Sequence, residues 1–327
     1  MAITERISYS KPPLADLICD QLTMDLHVHT RFSDSFTPIP RLMKYAADRG
    51  IGVAVTDHNE IRGAVQACAR KTGPVVIPGM ELTVHERPHM LIYFYSASDG
   101  LDFFKKHVEK NRGGNPYSIT SVRMDDALDI LEGYNALVGA AHPFVPSPAG
   151  LFKAIQRGWI SEDVLKRLDF LEVISGFNSE KGNLRATKLA LERSMAYTGG
   201  SDAHILSQVG SIVTYAEAET GEEMLDAIRK RKNAVVGRGM NSIGHISSAG
   251  AMLPRHMRYL DANITEKGKR VVVDGINYHI PQLKAKISTT TERIRQMHEN
   301  GIEAISSMRR RGRHQIKKAS SSFLKKQ

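Results

Sequence analysis

Histidine and carboxylate residues recur along this chain of 327 residues in short polar motifs, each beside a short apolar run. Imidazoles mixed with carboxylates suit Mn, Fe or Zn, and no cysteine lies nearby to favour a structural zinc held by thiolates. No single motif is decisive, but their recurrence predicts a multinuclear metal site. The motifs are Asp25-Leu-His27-Val-His29 with Ser33-Asp34, Thr56-Asp57-His58-Asn59, Pro78-Gly-Met-Glu81, His89 before Met-Leu-Ile-Tyr-Phe, Ala-Ala-His142-Pro143, and Gly-Ser-Asp202-Ala-His204.

Apolar runs and amphipathic stretches alternate between the motifs, a pattern typical of repeated βα units. The runs are nearly continuous in apolar residues, as expected of strands covered on both faces. The candidate ligands come at or just after the C-terminal ends of the strands, where parallel α/β barrels place their chemistry. The predicted strands are 26–28, 51–55, 75–77, 90–95, 136–141, 171–174, 196–199 and 234–236, and the predicted helices are 40–48, 60–70, 101–110, 124–131, 150–156, 162–168, 184–193 and 222–232.

In this order the motifs resemble those of the PHP (polymerase and histidinol phosphatase) superfamily of metal-dependent phosphoesterases, over roughly residues 22–240. The resemblance implies a distorted seven-stranded α/β barrel that holds two or three divalent metal ions (Mn, Fe or Zn). Among the residues that it implies, Glu81, Asp202 and His204 are the predicted catalytic ones. The implied ligands are His27, His29, Glu81 and Asp202 for a first metal, Glu81, His89 and His142 for a second that Glu81 bridges, and Asp34, His58 and His204 for a third.

The expected reaction is hydrolysis with water as the nucleophile. A carboxylate shared by two metals clamps phosphate oxygens and lowers the pKa of a bridging water enough to supply hydroxide near neutral pH. The chain has no Gly-x-Ser-x-Gly or Gly-x4-Gly-Lys-Ser/Thr motif, so serine hydrolases and nucleoside-triphosphate enzymes lack support. The predicted substrate is a phosphomonoester, or a nucleotide or nucleic-acid phosphate ester. Two alternatives stay open: a nuclease whose basic tail holds RNA or DNA, and a non-catalytic scaffold or binding module.

Substrate contacts are marked less clearly than metal ligands. Arg31, Arg112 and Arg123 are candidate cations for the non-bridging phosphate oxygens, because a guanidinium can bind them in a bidentate manner. Asn178, shortly after a predicted strand, is a further candidate. The alternative for each is an ordinary surface or capping role.

Two further carboxylates, Asp57 and Glu172, are interpreted as groups that orient the ligands, although solvated or capping roles would also suit them. His85 is the rival of His89, since it follows Glu81 by four residues. We prefer His89 because only His89 directly enters an apolar strand.

Positive charge is concentrated at the C-terminus. The net charge is +10, and residues 241–327 carry 17 Lys and Arg against 6 Asp and Glu. The predicted organisation is a lead-in (1–21), the barrel (22–240) and a basic extension (241–327) with a short hairpin, a helix and a disordered tail. The extension is expected to bind nucleic acid through its phosphates. The alternatives are an anionic membrane, a protein partner, or a solvated tail without a partner.

The remaining composition favours a cytoplasmic protein. The chain has two cysteines, no apolar run of transmembrane length and no recognisable leader. The expected phosphoesterase reaction predicts a phosphorylated small molecule or nucleotide as the partner. The basic extension adds nucleic acid as a second candidate.

Overall fold

A computed structural model of the protein describes residues 2–4, 6–239, 252–253 and 257–259. The hairpin, helix and tail predicted for the C-terminal extension, from residue 269 onward, lie outside the described residues.

One sheet forms the centre of the described chain. Its strands are β1 (Ala2–Thr4), β2 (Ile7–Ser8), β3 (Leu22–Val28), β4 (Gly52–Val55), β5 (Val76–Thr83), β6 (His89–Phe94), β7 (Ala136–Ala140), β8 (Phe170–Ser175), β9 (Ala196–Gly200), β10 (Ile212–Ala216) and β11 (Ala234–Gly237). They are hydrogen-bonded in the order β1-β2-β11-β10-β3-β4-β5-β6-β7-β8-β9. Strands β4, β8 and β9 are buried along their whole length, which explains their continuous apolar sequences.

Helices cover the sheet: α1 (Leu14–Asp20), α2 (Ile39–Ala47), α3 (Arg62–Cys68), α4 (Ala97–Phe103), α5 (Met124–Leu131), α6 (Leu151–Gln156), α7 (Glu180–Glu192) and α8 (Gly221–Arg229). Helix α2 shows why they pack. Pro40 occupies its first turn, and the buried side chains recur every three or four residues, at Ile39, Leu42, Met43 and Ala46. None of the helices in the described ranges has the length and apolarity that crossing a bilayer requires.

The strands from β3 to β9 curl until the chain after β9 meets β3 again. The amide of His29 donates to the carbonyl of Ala203 (3.0 Å), and the amide of Ala203 donates to the carbonyl of His27 (3.2 Å). We call this junction the seam. The same edge of β3 serves two neighbours, since its N-terminal half pairs with β10 and its C-terminal half with the seam.

The predicted α/β architecture is confirmed, but the strand count is not. The sheet has eleven strands among the described residues instead of seven. The seven strands β3 to β9 make the curl, and β10, β11, β2 and β1 continue the sheet beyond the seam. The curl is also not wholly parallel, because β6 runs antiparallel to both β5 and β7.

Candidate metal centre

All nine predicted ligands lie at one edge of the curl. His27 is near the end of β3, and the other ligands outside β5 and β6 lie in loops that follow strands: His29 and Asp34 after β3, His58 after β4, His142 after β7, and Asp202 and His204 after β9. Glu81 is in the second half of β5. His89 is the first residue of β6 and not at a strand end, but β6 runs in the opposite direction and so begins at the same edge.

The first group of side chains surrounds a common point. Nε2 of His27 and Nε2 of His29 are 3.2 Å apart, and His29 Nε2 is 3.0 Å from Oδ1 of Asp202. Glu81 Oε2 is 3.3 Å from each of the two ring nitrogens. Donor atoms about 2.0–2.2 Å from one tetrahedral ion lie roughly 3.3–3.6 Å from one another. The spacing of this group therefore fits a single bound cation.

Glu81 extends the centre to a second group through its other oxygen. Oε1 of Glu81 is 2.7 Å from Nδ1 of His89 and 3.0 Å from Nε2 of His142. The carboxylate thus lies between the two groups, with one oxygen facing each. This is the arrangement that a carboxylate bridging two cations requires.

A third group surrounds Asp34. Its carboxylate lies 3.3 Å from Nε2 of His204 and 3.6 Å from Nε2 of His58. Nδ1 of His58 faces Glu81 Oε2 at 3.0 Å, and Nδ1 of His29 lies 3.9 Å from Asp34. His29 and His58 therefore each stand between two groups, a closer merging of the three groups than their motifs predict.

The electrostatics of the centre favour positive charge. Burial alone would lower the pKa of His27, but nearby carboxylates, Asp202 first, outweigh burial and raise the pKa well above its usual value. Burial is likewise outweighed at His29, where hydrogen bonds to Asp202 and Glu81 help raise the pKa to about 10. Burial would raise the pKa values of Glu81 and Asp202, yet neighbouring histidines hold both well below their usual range.

His58 behaves differently, because burial dominates and lowers its pKa to about 3. Its ring is neutral at physiological pH, as a metal ligand must be. At His204, Nδ1 faces the carbonyl of Asp202 at 3.0 Å, which leaves Nε2 directed at Asp34.

The residues present fit bound metal ions. Buried polar atoms normally have a hydrogen-bond partner. Here five buried atoms have none among the described residues: His29 Nδ1, His58 Nδ1, Glu81 Oε2, His142 Nδ1 and His204 Nε2. Four of these atoms face another group of the centre, whereas His142 Nδ1 is not the nitrogen that faces Glu81. Histidine nitrogens and carboxylate oxygens without donors between them are the donor set that divalent cations complete.

Asp57 and Glu172 hold the loops that carry the ligands. Asp57 accepts hydrogen bonds from the amide and hydroxyl of Thr30 (2.7 and 2.6 Å) and from the hydroxyl of Ser33 (2.6 Å). Glu172 is 2.9 Å from Nδ1 of His27 and accepts the amide of His142 (2.7 Å). Glu172 therefore contacts two ligand-bearing segments and Asp57 contacts one, the loop between His29 and Asp34. That both carboxylates orient the ligands stays a prediction.

Asp25 is a further buried carboxylate, absent from the predicted site. It accepts the amides of Ser201 and Gly210, both at 2.8 Å, and the Ser201 hydroxyl, so it ties β3 to the segment that bears Asp202. Burial raises its pKa to about 6, against the opposing effect of these hydrogen bonds. A signal was present in the sequence: Asp25 precedes His27 by two residues, the period that places strand side chains on one face.

Three residues beside or within the centre have a left-handed backbone, which is costly for any residue except glycine. They are Asn59 (φ +50°), His142 (φ +28°) and Asp202 (φ +51°). Asn59 shows what fixes such a conformation: its side chain accepts the amide of Thr83 (2.8 Å) and donates to the carbonyls of Pro116 and Ser118.

The predicted substrate contacts are placed unevenly. Arg31 is exposed two residues after His29. Arg112 binds the buried carboxylate of Glu60 (3.1 Å), and Arg123 binds Glu86 (3.0 Å). Both guanidinium groups are therefore already paired.

Asn178 is buried, and its side-chain nitrogen has no hydrogen-bond partner among the described residues. His85 donates its amide to the carbonyl of Val122 and is in none of the described His, Asp and Glu clusters suited to a metal.

Comparison with known proteins agrees with this geometry. The PHP domain family matches residues 25–175, and the PHP-associated family matches residues 180–233. A relative of unassigned function from Methanocaldococcus jannaschii is 27% identical over 198 residues, which cover 58% of this chain and 68% of the relative.

Solved structures share the fold at low identity. Endonuclease Q from Pyrococcus furiosus has a TM-score of 0.50 at 20% identity over 66% of this chain and 57% of its own. A complex of endonuclease Q with a 27-mer duplex carrying an abasic lesion has a TM-score of 0.52 at 19% identity, over 67% and 60%. PsfC from Pseudomonas syringae has a TM-score of 0.51 at 18% identity, over 73% and 99%. This chain thus spans well under two thirds of the endonucleases.

The two family matches together contain all nine side chains of the centre, from His27 to His142 in the first and Asp202 with His204 in the second. Motif order, the shared edge of the sheet and the matched families agree, and the chain belongs to the PHP superfamily of metal-dependent phosphoesterases.

Proposed function

We propose that this protein hydrolyses a phosphomonoester, or a nucleotide or nucleic-acid phosphate ester, at a centre of two or three divalent metal ions. The observation that carries the proposal is the position of Glu81, whose two oxygens face histidines from different groups at 2.7–3.3 Å. A first ion would be held by His27, His29, Glu81 and Asp202. A second would be held by Glu81, His89 and His142, so that Glu81 bridges the two. A third would be held by Asp34, His58 and His204.

Ions bound there would withdraw charge from phosphate oxygens and activate water as the nucleophile. The protein's own residues prepare the site. Glu172 contacts Nδ1 of His27, so Nε2 of His27 faces the centre. The carbonyl of Asp202 contacts Nδ1 of His204, so Nε2 of His204 faces the centre. Three arginines are predicted to bind the non-bridging phosphate oxygens. Arg31 has no carboxylate partner among the described residues, so we favour it over Arg112 and Arg123 for this contact.

The proposal is tested with Glu81→Gln. The amide keeps the shape of the side chain but loses the charge that two cations share, so kcat should fall at least about a hundredfold. Activity would be followed on p-nitrophenyl phosphate and on bis(p-nitrophenyl) phosphate after loading with Mn, Fe or Zn. Thermal unfolding and elemental analysis would show whether the variant is folded and how much metal it retains.

Treatment with excess chelator is a second, independent test of the proposed metal dependence. Turnover should stop as metal content falls and return when metal is restored. Undiminished hydrolysis by metal-free protein, or a near-normal rate and metal content in Glu81→Gln, would overturn the proposal. Metal binding without hydrolysis of any ester would favour the binding-module alternative.

A further inference from the structure

Beside the metal centre, residues 143–161 contain no Asp or Glu, although they include three aromatic residues and two cations exposed wholly or in part. The aromatic residues are Phe144, Phe152 and Trp159. Phe144 and Phe152 stack in parallel, with ring centroids 4.1 Å apart and an angle of 4° between the rings. Three guanidinium groups lie over these rings: Arg185 over Phe144 (4.4 Å), and Arg157 and Arg87 over Trp159 (4.6 and 5.8 Å).

This aromatic–basic platform, defined by Phe144, Phe152, Lys153, Trp159 and Arg185, is attached to the centre through the backbone. The loop that begins it is held at both ends: the amide of Val145 donates to the carbonyl of His142 (2.9 Å), and the amide of His89 donates to the carbonyl of Ala149 (3.0 Å). Both histidines belong to the second ligand group.

The cations of the platform differ from several other arginines of the described chain. Arg112, Arg123 and Arg193 each bind a carboxylate at 2.8–3.1 Å. Arg157, Arg185 and Lys153 have no carboxylate partner among the described residues. A cleft of about 470 Å³ opens between Phe144, Phe152, Lys153 and Arg185, and no carboxylate lines it. Unpaired cations over aromatic faces are suited to an anionic ligand with flat rings.

Resting on the function proposed above, we propose that this platform binds single-stranded nucleic acid, so that the substrate is a phosphate ester within or at the end of a strand. Bases would stack on the face of Phe152 turned away from Phe144 and on Trp159, because the two faces of Phe144 are taken by Phe152 and Arg185. Lys153, Arg157 and Arg185 would contact phosphates. A strand is favoured over a single nucleotide because the rings lie at both ends of α6. Phe152 is in the first turn of this helix of about 9 Å, and Trp159 follows its last turn, so successive bases of a strand could contact both rings.

The test uses the full-length, metal-loaded protein and a hydrolysis-resistant phosphorothioate 12-mer. Trp159 is the only tryptophan of the chain, so its fluorescence reports directly on stacking. We expect saturable quenching by the 12-mer. An abasic strand of the same length and charge should bind at least about fivefold more weakly, given the strength of base stacking on aromatic side chains.

Variants separate stacking from charge. Phe152→Leu should weaken binding of a labelled 12-mer at least about fivefold without changing its salt dependence. Arg185→Gln should weaken binding and reduce the slope of log K against log salt by about 0.7. The matched control is Arg229→Gln, which removes a guanidinium lying 5.4 Å from the Tyr95 ring and bonded to the carbonyl of Ala136, at the opposite edge of the sheet. It should bind as the wild type does.

Equal affinities for abasic and normal strands, equal losses in Arg185→Gln and Arg229→Gln, or a mononucleotide that competes as well as the 12-mer would each overturn the inference. Thermal unfolding and metal content of each variant check folding. Metal-dependent hydrolysis of p-nitrophenyl phosphate by the wild type is measured separately. If the protein binds the strand but does not hydrolyse p-nitrophenyl phosphate, only the proposed phosphoesterase function is contradicted. If it hydrolyses the ester but does not bind the strand, only the proposed role of the platform is contradicted.

Discussion

Single side chains at the centre serve two groups at once. Glu81 faces four other motifs, and His29 and His58 each direct one ring nitrogen to one group and the second to another. The sites are therefore not independent. Loss of one ligand is expected to disturb the occupancy of its neighbours, and metal titrations should not follow a single independent binding constant.

The raised pKa values of His27 and His29 predict proton release on metal binding. A raised pKa means that these rings hold protons at neutral pH in the metal-free protein, and an incoming cation must displace those protons. Metal affinity should therefore rise with pH towards about 10, the raised pKa of His29, and occupancy and activity should fall together as the pH is lowered from there. Calorimetry in two buffers of different ionisation enthalpy counts the protons released. His85→Gln, outside the centre, should release the same number; binding that is independent of pH would contradict this account.

Glu172→Gln tests the group that orients His27 and His142. The amide loses the negative charge opposite His27 Nδ1 and can offer only one of the two acceptors now used. Metal affinity should fall about 10–100-fold, the usual effect of losing a partner that orients a ligand. Competition with a chromophoric chelator measures it. Glu192→Gln, on the exposed end of α7, is the control, and equal affinities in the two variants would show that Glu172 has no such role.

At the scale of elements, the close approach of β9 to β3 places the first and last motifs side by side. A β-carbon on Gly200 would lie 2.6 Å from the backbone nitrogen of His27 and closer still to its β-carbon. Gly200→Ala should therefore destabilise the fold by about 1–3 kcal/mol or more and lower metal affinity, since His27 and Asp202 would be pushed apart.

Gly133→Ala is the matched control, because a β-carbon there meets its nearest neighbour at an ordinary 3.4 Å. Denaturant unfolding with and without metal gives both quantities. A Gly200→Ala protein as stable as Gly133→Ala, with full metal content, would show that the approach of the two strands is not what positions the ligands.

The elements that the sequence predicts are those whose local pattern is strong. Helix α5 matches its predicted bounds, and β8 and β9 are found within a residue of theirs, because apolar runs of this kind require burial on both faces. Strand β10 is missed although its Ile-Val-Thr-Tyr run favours a strand, because it pairs antiparallel with β3 and β11 and so falls outside the expected alternation of strands and helices. The direction of β6 is likewise not given by its apolar sequence.

The order of the motifs and their places at strand ends predict that the nine ligands lie together. The partners of the arginines cannot be predicted in this way. Arg112 and Arg123 look alike in sequence to cations that would bind phosphate. Their partners, Glu60 and Glu86, lie 52 and 37 residues away along the chain, so only the folded structure reveals that both are paired. Which ring nitrogen of His29 or His58 faces which group likewise depends on side-chain rotation.

At the scale of the whole molecule, charge is divided between two regions. Residues 1–240 carry 28 Lys and Arg against 29 Asp and Glu, and the excess of cations belongs to the extension beyond them. From Arg309 onward the chain has eight Lys and Arg and no Asp or Glu. The acid-free platform is thus an exception within a nearly neutral region, while the extension has a net positive charge that is most concentrated from Arg309 onward.

Truncation before Arg309 tests the extension. Affinity for a polynucleotide at low salt should fall, and the slope of log K against log salt should flatten by about 0.7 for each phosphate of a single strand that the shortened protein no longer neutralises. Hydrolysis of a small phosphomonoester should not change. Identical affinities and salt slopes for the full-length and truncated proteins would mean that the extension serves solubility and not binding.

The seam has a consequence for how the protein is made. The backbone bonds that close the curl join His27 and His29 to Ala203, between two ligands of the last motif. A chain still being synthesised cannot complete the first ligand group until about 175 residues after His27 have emerged. The second group, whose last member is His142, is complete earlier in synthesis. An ion held by the first group would hold β3 and the chain after β9 together and so would stabilise the junction at which the curl closes. The cell's metal supply would then affect how long each folded molecule survives.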